Sequence, residues 1–265
     1  MTIKDFARSI NRLAAYLEPL IGYSKTFNTV AYFGPPDLRY LIVVIAVNKL
    51  GHKSLLSAPR NSQLMHQHLL NAMECHTILH AHQTDVSSMV GTHEAVRHAI
   101  PELEDLLWAE GEPPHYPFTK TFEEAKNDPF LVLHTSGSTG MPKPIIESHG
   151  YTAIMDTLLH IPSVNRIPMK VSVIATRARA AVVFPPWHVA GSILLGLCAG
   201  VWGNNIFVWA PPDRMAGAKE IVEMVKYGNC TRIFAGPNHY DNIVNNLERL
   251  ELMERVDHAW YGGGT

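Results

Sequence analysis

The residues best suited to chemistry lie in one run: Phe130-Leu131-Val132-Leu133-His134-Thr135-Ser136-Gly137-Ser138-Thr139-Gly140-Met141-Pro142-Lys143-Pro144. An apolar stretch passes straight into hydroxyl residues, two glycines and a lysine. Glycine lets backbone N–H groups turn inward and come close to a ligand. The Ser and Thr hydroxyls add donors, and Lys143 adds a mobile positive charge. Together they make a nest for phosphate oxygens. The run is not a Walker A loop, because GxxxxGKS/T cannot be written onto it, and it is not GxGxxG. A plain polar surface loop is the competing reading, since clusters of Ser, Thr and Gly mark loops. The position directly after an apolar strand, and the trailing Pro142-Lys143, favour the phosphate nest.

Other constellations offer less. There are 15 histidines among 265 residues. His66 and His68 do not share a helix face, and His80 and His82 would point the same way on a strand. No carboxylate or cysteine pattern completes a metal site, so none is expected. Ser136 or Ser138 as a hydrolase nucleophile would want a G-x-S-x-G elbow, which the run does not supply. Cys75, Cys198 and Cys230 are far apart and odd in number, with no CxxC pair. That argues against a disulfide framework and fits a reducing, cytoplasmic setting.

With these residues in view, Thr135 to Lys143 resembles the phosphate-binding signature of the adenylate-forming (AMP-binding) superfamily. That family includes acyl-CoA synthetases, luciferases and the adenylation domains of nonribosomal peptide synthetases. His134 stands in the family's aromatic place and Pro144 in that of its last glycine. The Pro-Lys-Pro variant is similar to fungal synthetase-like adenylation domains, some attached to carboxylate-reducing or thioesterase modules. Further segments follow in the family's order. They are 46–51 through Ser57-Ala58-Pro59-Arg60-Asn61, then His149, Pro185-Pro186-Trp187-His188-Val189-Ala190-Gly191, Gly236-Pro237-Asn238, and Tyr261-Gly262-Gly263-Gly264.

The resemblance implies ATP-dependent activation of a carboxylic acid as acyl-AMP, with ATP and Mg²⁺ as cofactors. It places Thr135, Ser136, Gly137, Ser138, Thr139, Gly140 and Lys143 on the ATP phosphates. It places Trp187, His188, Gly262, Gly263 and Gly264 at the acyl group and adenine. It assigns no catalytic residue here, since the family's T-E pair, ribose-binding Asp, hinge and lid lysine would follow Thr265. The resemblance therefore implies the N-terminal part of the large subdomain, with residues 1–24 an N-terminal helix, 25–265 an incomplete large subdomain and the C-terminal lid absent. Such a chain is expected to lack adenylation activity alone. Its partners would be a small carboxylic acid and, in a complete version, a carrier-protein module. A non-catalytic family fragment that at most binds nucleotide, and an unrelated α/β protein with a phosphate ligand, are the alternatives.

The elements that must position these residues are legible as an alternation. Strand signals fall at 30–33, 53–58, 76–80, 130–134, 171–174, 180–184, 206–209, 232–235 and 258–261. Helix signals fall at 38–50, 62–74, 94–107, 151–160, 193–199 and 218–227, with Asp37 a candidate N-cap for the first. Before them, Ile3, Phe6, Ile10, Leu13, Leu17 and Leu20 recur every three or four residues, one face of an amphipathic helix and not a signal peptide. Continuous apolar strands alternating with helices indicate an α/β fold, with mostly parallel sheets flanked by helices.

Composition agrees. Hydrophobic residues make up 46% and charged residues only 17% of the chain, which excludes a disordered or coiled-coil protein. The net charge of -2, with no basic run, gives no reason to expect nucleic acid or a polybasic membrane contact. The one long uncharged stretch, 180–212, has an apolar centre at 189–203, shorter than the roughly 20 residues a spanning helix needs. It reads as a buried core helix.

Overall fold

The computed structural model describes residues 1–135, 140–157, 177–203, 205–209 and 216–262. The chain packs as two compact units, Met1–Ala153 and Ile154–Thr265. No Gly/Ser linker composition announces that division.

The first unit is built on β1 (Thr29–Phe33), β2 (Lys53–Leu56), β3 (Thr77–His80), β4 (Val96–Ala99), β5 (Pro129–Thr135) and β6 (Lys143–Ser148). They form one sheet in the order β4-β3-β1-β2-β5-β6. The first five run parallel, and only β6 is antiparallel, at the edge. Parallel neighbours need crossovers, and helices supply them. Between β1 and β2 lies α2 (Arg39–Lys49), and between β2 and β3 lies α3 (Gln63–Ala72). All five residues of β1 are buried, as expected of a central strand covered on both faces. Ala31, Phe33, Leu55, Leu69, Ile78 and Val132 share one core cluster. Fully burying a side chain such as Leu55 contributes about 1.5–3 kcal/mol.

The N-terminal helix α1 (Ile3–Ile21) starts with a capping box: Asp5 N–H donates to Thr2 Oγ1 and Thr2 N–H to Asp5 Oδ2. Phe6, Ile10, Leu13 and Leu17 are buried where α1 packs on α2 and on α5 (Leu103–Trp108). Ile3 and Leu20, expected on that face, are exposed at the helix ends. Asp37 is not the N-cap of α2. That position is Leu38, and Asp37 instead accepts the Arg39 N–H at 2.9 Å and pairs with the Arg39 guanidinium.

The expected helix over 94–107 is overturned. Its first part is strand β4, paired with β3, and only α5 is helical. Pro101 explains the break, because a proline pushes the preceding residue toward extended backbone. Two short helices, α4 (Val86–Val90), capped by Asp85, and α6 (Phe122–Ala125), capped by Thr121, carried no sequence signal.

The second unit holds β7 (Arg179–Val182), β8 (Ile206–Trp209), β9 (Arg232–Ala235) and β10 (His258–Tyr261), all parallel, in the order β10-β9-β7-β8. The strand expected over 171–174 lies outside the described residues. Helix α9 (Ala218–Gly228) packs on β7 and β8. It is followed by α10 (Pro237–Val244) and α11 (Leu247–Leu252). Residues Ala190–Trp202 form α8, wound as a π-helix, with the Gly203 N–H reaching back five residues to Cys198 O at 2.8 Å. Ile193, Leu195 and Ala199 in it are buried, so the core-helix reading of this stretch holds. Among the described residues no helix is long and apolar enough to cross a membrane. Cys75, Cys198 and Cys230 are buried and none forms a disulfide.

Candidate functional site

In open α/β sheets ligands bind beyond the carboxyl ends of the strands. The first unit puts its hydroxyl run there. β5 ends at Thr135, and the chain returns along β6 with Thr135 opposite Lys143 and His134 opposite Pro144. The sequence signals no strand between 134 and the helix expected at 151–160. The structure instead pairs β5 with an antiparallel strand, β6, that begins at Lys143. Strand β6 was illegible because Pro144 interrupts it and Ile145 and Ile146 lie exposed without alternation. Proline in a sheet belongs on an edge strand, and β6 is one.

Thr135 and Lys143 are exposed at the feet of this hairpin, and Pro142 is buried beneath it. Gly140 has φ +81, the left-handed region where a side chain is strained, and a Cβ there would meet open space. Ser136, Gly137, Ser138 and Thr139 lie outside the described residues. Among the described residues no group of three His, Cys, Asp or Glu side chains could hold a metal ion.

His134 ties the hairpin to the end of β2. Its Nε2 accepts the Ala58 N–H at 3.1 Å and lies 3.2 Å from Asn61 Nδ2. Asn61 Nδ2 also donates to Ser57 Oγ at 3.1 Å, and Ser57 Oγ lies 2.8 Å from His66 Nδ1. Burial, with His134 nearby, pushes the His66 imidazole down to about 4, so it stays neutral. Phe33 meets the His66 ring edge-on at 5.2 Å. The segment from Ser57 to Asn61 stood out in the sequence, but its contact with His134 spans more than 70 positions and has no local signal.

His149 opens α7 (His149–Thr157), at the other end of the sheet. Its N–H donates to Asp128 O just before β5, and its ring packs near Phe118 and Phe130. Burial there lowers its pKa. A cavity of about 190 Å³ opens at this end, lined among others by Lys49, His52, Lys120, Asp128 and His149. It sits at the amino ends of β1, β2 and β5, away from the hydroxyl run.

The second unit has its own carboxyl edge. Because β7, β9 and β10 run parallel, the segment 184–188, Gly236-Pro237 and Gly262 all emerge on it. A Cβ on Gly262 would lie 3.9 Å from the Phe184 ring. Trp187 is only 8% exposed, whereas His188 is exposed. The His188 Nδ1 accepts the Ala190 N–H at 3.2 Å, which places the proton of the neutral ring on Nε2. Gly191 is required by packing: a Cβ would sit 2.1 Å from Pro185 O. Gly263 and Gly264 lie outside the described residues.

Comparison with known proteins places this geometry. The family described as AMP-binding enzyme matches residues 1–265. A carboxylic acid reductase of Neurospora crassa is 28% identical, covering 100% of this chain and 26% of the relative. The isocyanide synthase-NRPS hybrid crmA of Aspergillus fumigatus is 34% identical, covering 97% of this chain and 15% of the relative. The chain thus spans about a quarter or less of these relatives. Among solved structures, the inhibitor-bound N-terminal domain of FACL13 from Mycobacterium tuberculosis superposes with a TM-score of 0.79 at 17% identity, over 100% of this chain and 63% of that one. ATP-bound MatB from Rhodopseudomonas palustris gives 0.75 at 15% identity, over 98% and 49%. These two share the fold. The family match removes the reading of an unrelated α/β protein.

Proposed function

The chain belongs to the AMP-binding enzyme family, and on that premise we propose that it supplies the phosphate-binding part of a unit that activates a carboxylic acid as acyl-AMP. The observation that carries this reading is the β5–β6 hairpin. It presents exposed Thr135 and Lys143 on opposite feet, with Gly140 in a conformation that only glycine adopts without strain.

The chemical need is clear. A carboxylate oxygen must attack the ATP α-phosphorus while pyrophosphate leaves, so an anion approaches a polyanion. Charge neutralisation and alignment are what the protein can add. Lys143 supplies positive charge toward the β- and γ-phosphates. Thr135, Ser136, Ser138 and Thr139 supply hydroxyl donors, and Gly137 and Gly140 let the backbone come close. Mg²⁺ would accompany the phosphates, held by one or two carboxylates and water, and no described residue is assigned to it. On the second unit, Trp187 and His188 border the acyl group, and Gly262, Gly263 and Gly264 admit the adenine and the carboxylate. A carrier-protein module is the proposed acceptor in a longer protein. Three cysteines without disulfides support a reducing, cytoplasmic setting.

The small share of each relative that the chain spans favours a second reading, in which residues 1–265 bind nucleotide but do not complete the reaction. Two measurements separate these. Calorimetry with Mg-ATP is expected to show binding that weakens about tenfold or more in Lys143→Ala, since a charged hydrogen bond is worth about 1.5–3 kcal/mol. Binding that ignores the substitution ends the loop assignment. Pyrophosphate exchange with a panel of carboxylic acids then reads catalysis, and activity of the 265-residue chain would leave the first reading standing alone.

A further inference from the structure

We infer that His134 is a positioning residue for the nucleotide phosphates, acting through a tie between the foot of the β5–β6 hairpin and the turn after β2. The inference rests on the function proposed above but concerns residues that touch no phosphate themselves.

The direction of the hydrogen bonds at His134 is fixed. A backbone N–H only donates, so the Ala58 N–H makes His134 Nε2 an acceptor and puts the neutral ring's proton on Nδ1. Asn61 Nδ2 has two hydrogens, and it lies within reach of two acceptors, His134 Nε2 and Ser57 Oγ. Ser57 Oγ in turn hydrogen-bonds His66 Nδ1 at 2.8 Å. Asn61 is itself set by its N–H to Ala58 O at 2.9 Å. Ser57, Ala58 and His66 are 1%, 3% and 1% exposed, so the tie is anchored in the core at one end. At the other end His134 immediately precedes Thr135, the last paired residue before the hydroxyl run.

A strand end held only by its ladder frays, because terminal residues open at little cost. Here the end of β5 is held from the side as well. The hydroxyl of Thr135 therefore starts from a fixed point. Fixing a binding group in advance lowers the ordering cost of the ligand complex. The tie should matter for ligands that reach the hairpin with their β- and γ-phosphates and not for AMP.

The test compares wild type, His134→Leu, His134→Gln and Asn61→Ala. Mg-ATP and AMP affinities are measured by calorimetry, and exchange of the Ala58 amide by NMR. The glutamine side-chain oxygen can accept the Ala58 N–H; leucine cannot. Expected are a roughly tenfold loss of ATP affinity in His134→Leu, the size that one or two neutral hydrogen bonds give. Recovery to within about threefold in His134→Gln, a loss in Asn61→Ala, unchanged AMP affinity and faster Ala58 exchange in His134→Leu are also expected. Asn61→Ala, at a half-buried turn, keeps the test usable should His134→Leu fail to fold. Wild-type ATP affinity in the leucine variant, equal losses for ATP and AMP, or no recovery with glutamine overturns the inference. If the wild-type chain binds no ATP at all, the function proposed above fails and the positioning role with it. In that case Ala58 exchange still reports whether the bond exists.

Discussion

At the scale of residues, the proton bookkeeping of one buried ring has a measurable result. His66 is pushed from the ordinary 6.5 to about 4 by burial and by His134. Between those values the unfolded chain takes up a proton that the folded chain refuses. Stability from this group is therefore complete above pH 6.5 and is lost as the pH falls toward 4. His52 and His149 are also pushed down by burial and act in the same direction. Replacing His66 with Asn should flatten the slope of unfolding free energy between pH 6.5 and 4, by at most about 1.4 kcal/mol per pH unit, the value for one proton. Urea titrations at several pH values measure it, and an unchanged slope in the variant would count against a neutral buried His66. The same residue shows the limit of reading residues alone. By spacing alone, His66 and His68 are only two histidines that do not share a helix face. The fold adds a hydrogen bond to Ser57, which in turn accepts from Asn61.

At the scale of elements, the segment from Pro185 to Gly191 carries its own prediction. Its glycine leaves room for Pro185 O, which a Cβ would approach to 2.1 Å, and for Phe184 O at 2.8 Å. Gly191→Ala is expected to destabilise the start of α8 by about 1–3 kcal/mol, as overpacking does. Thermal melts should show it, and a stability equal to wild type would mean that the segment shifts freely. Legibility varied with the type of element. The parallel strands β1, β2, β3, β5, β7, β8, β9 and β10 were visible because they are short apolar runs bounded by turns. β6 was hidden because its edge position removes the burial pattern and Pro144 breaks the run. β4 was absorbed into a false helix because Val96–Ala99 mixes polar and apolar residues. The hydroxyl run was legible from residue type and placement. The tie through His134 was not, since local sequence encodes no contact between β5 and the turn after β2.

At the scale of the whole molecule, each unit has a core of its own. Ala31, Leu55 and Val132 belong to one, and Ala181, Ile221 and Ile233 to another. Ile221→Ala should cost about 2–5 kcal/mol. Hydrogen exchange should quicken at amides of β9 well before those of β1, because opening follows compact cooperative groups. Equal acceleration at both strands would show a single cooperative body. The three cysteines turn this division into something readable by simple chemistry. Cys75 lies in the first unit, and Cys198 and Cys230 lie in the second, each at most 1% exposed. Burial pushes both the Cys75 and Cys230 thiols up to about 11, so little of either is thiolate in the folded chain. A thiol reagent added to the native protein is thus blind until a unit opens. The protein carries a built-in stopwatch for each half, with no label engineered in.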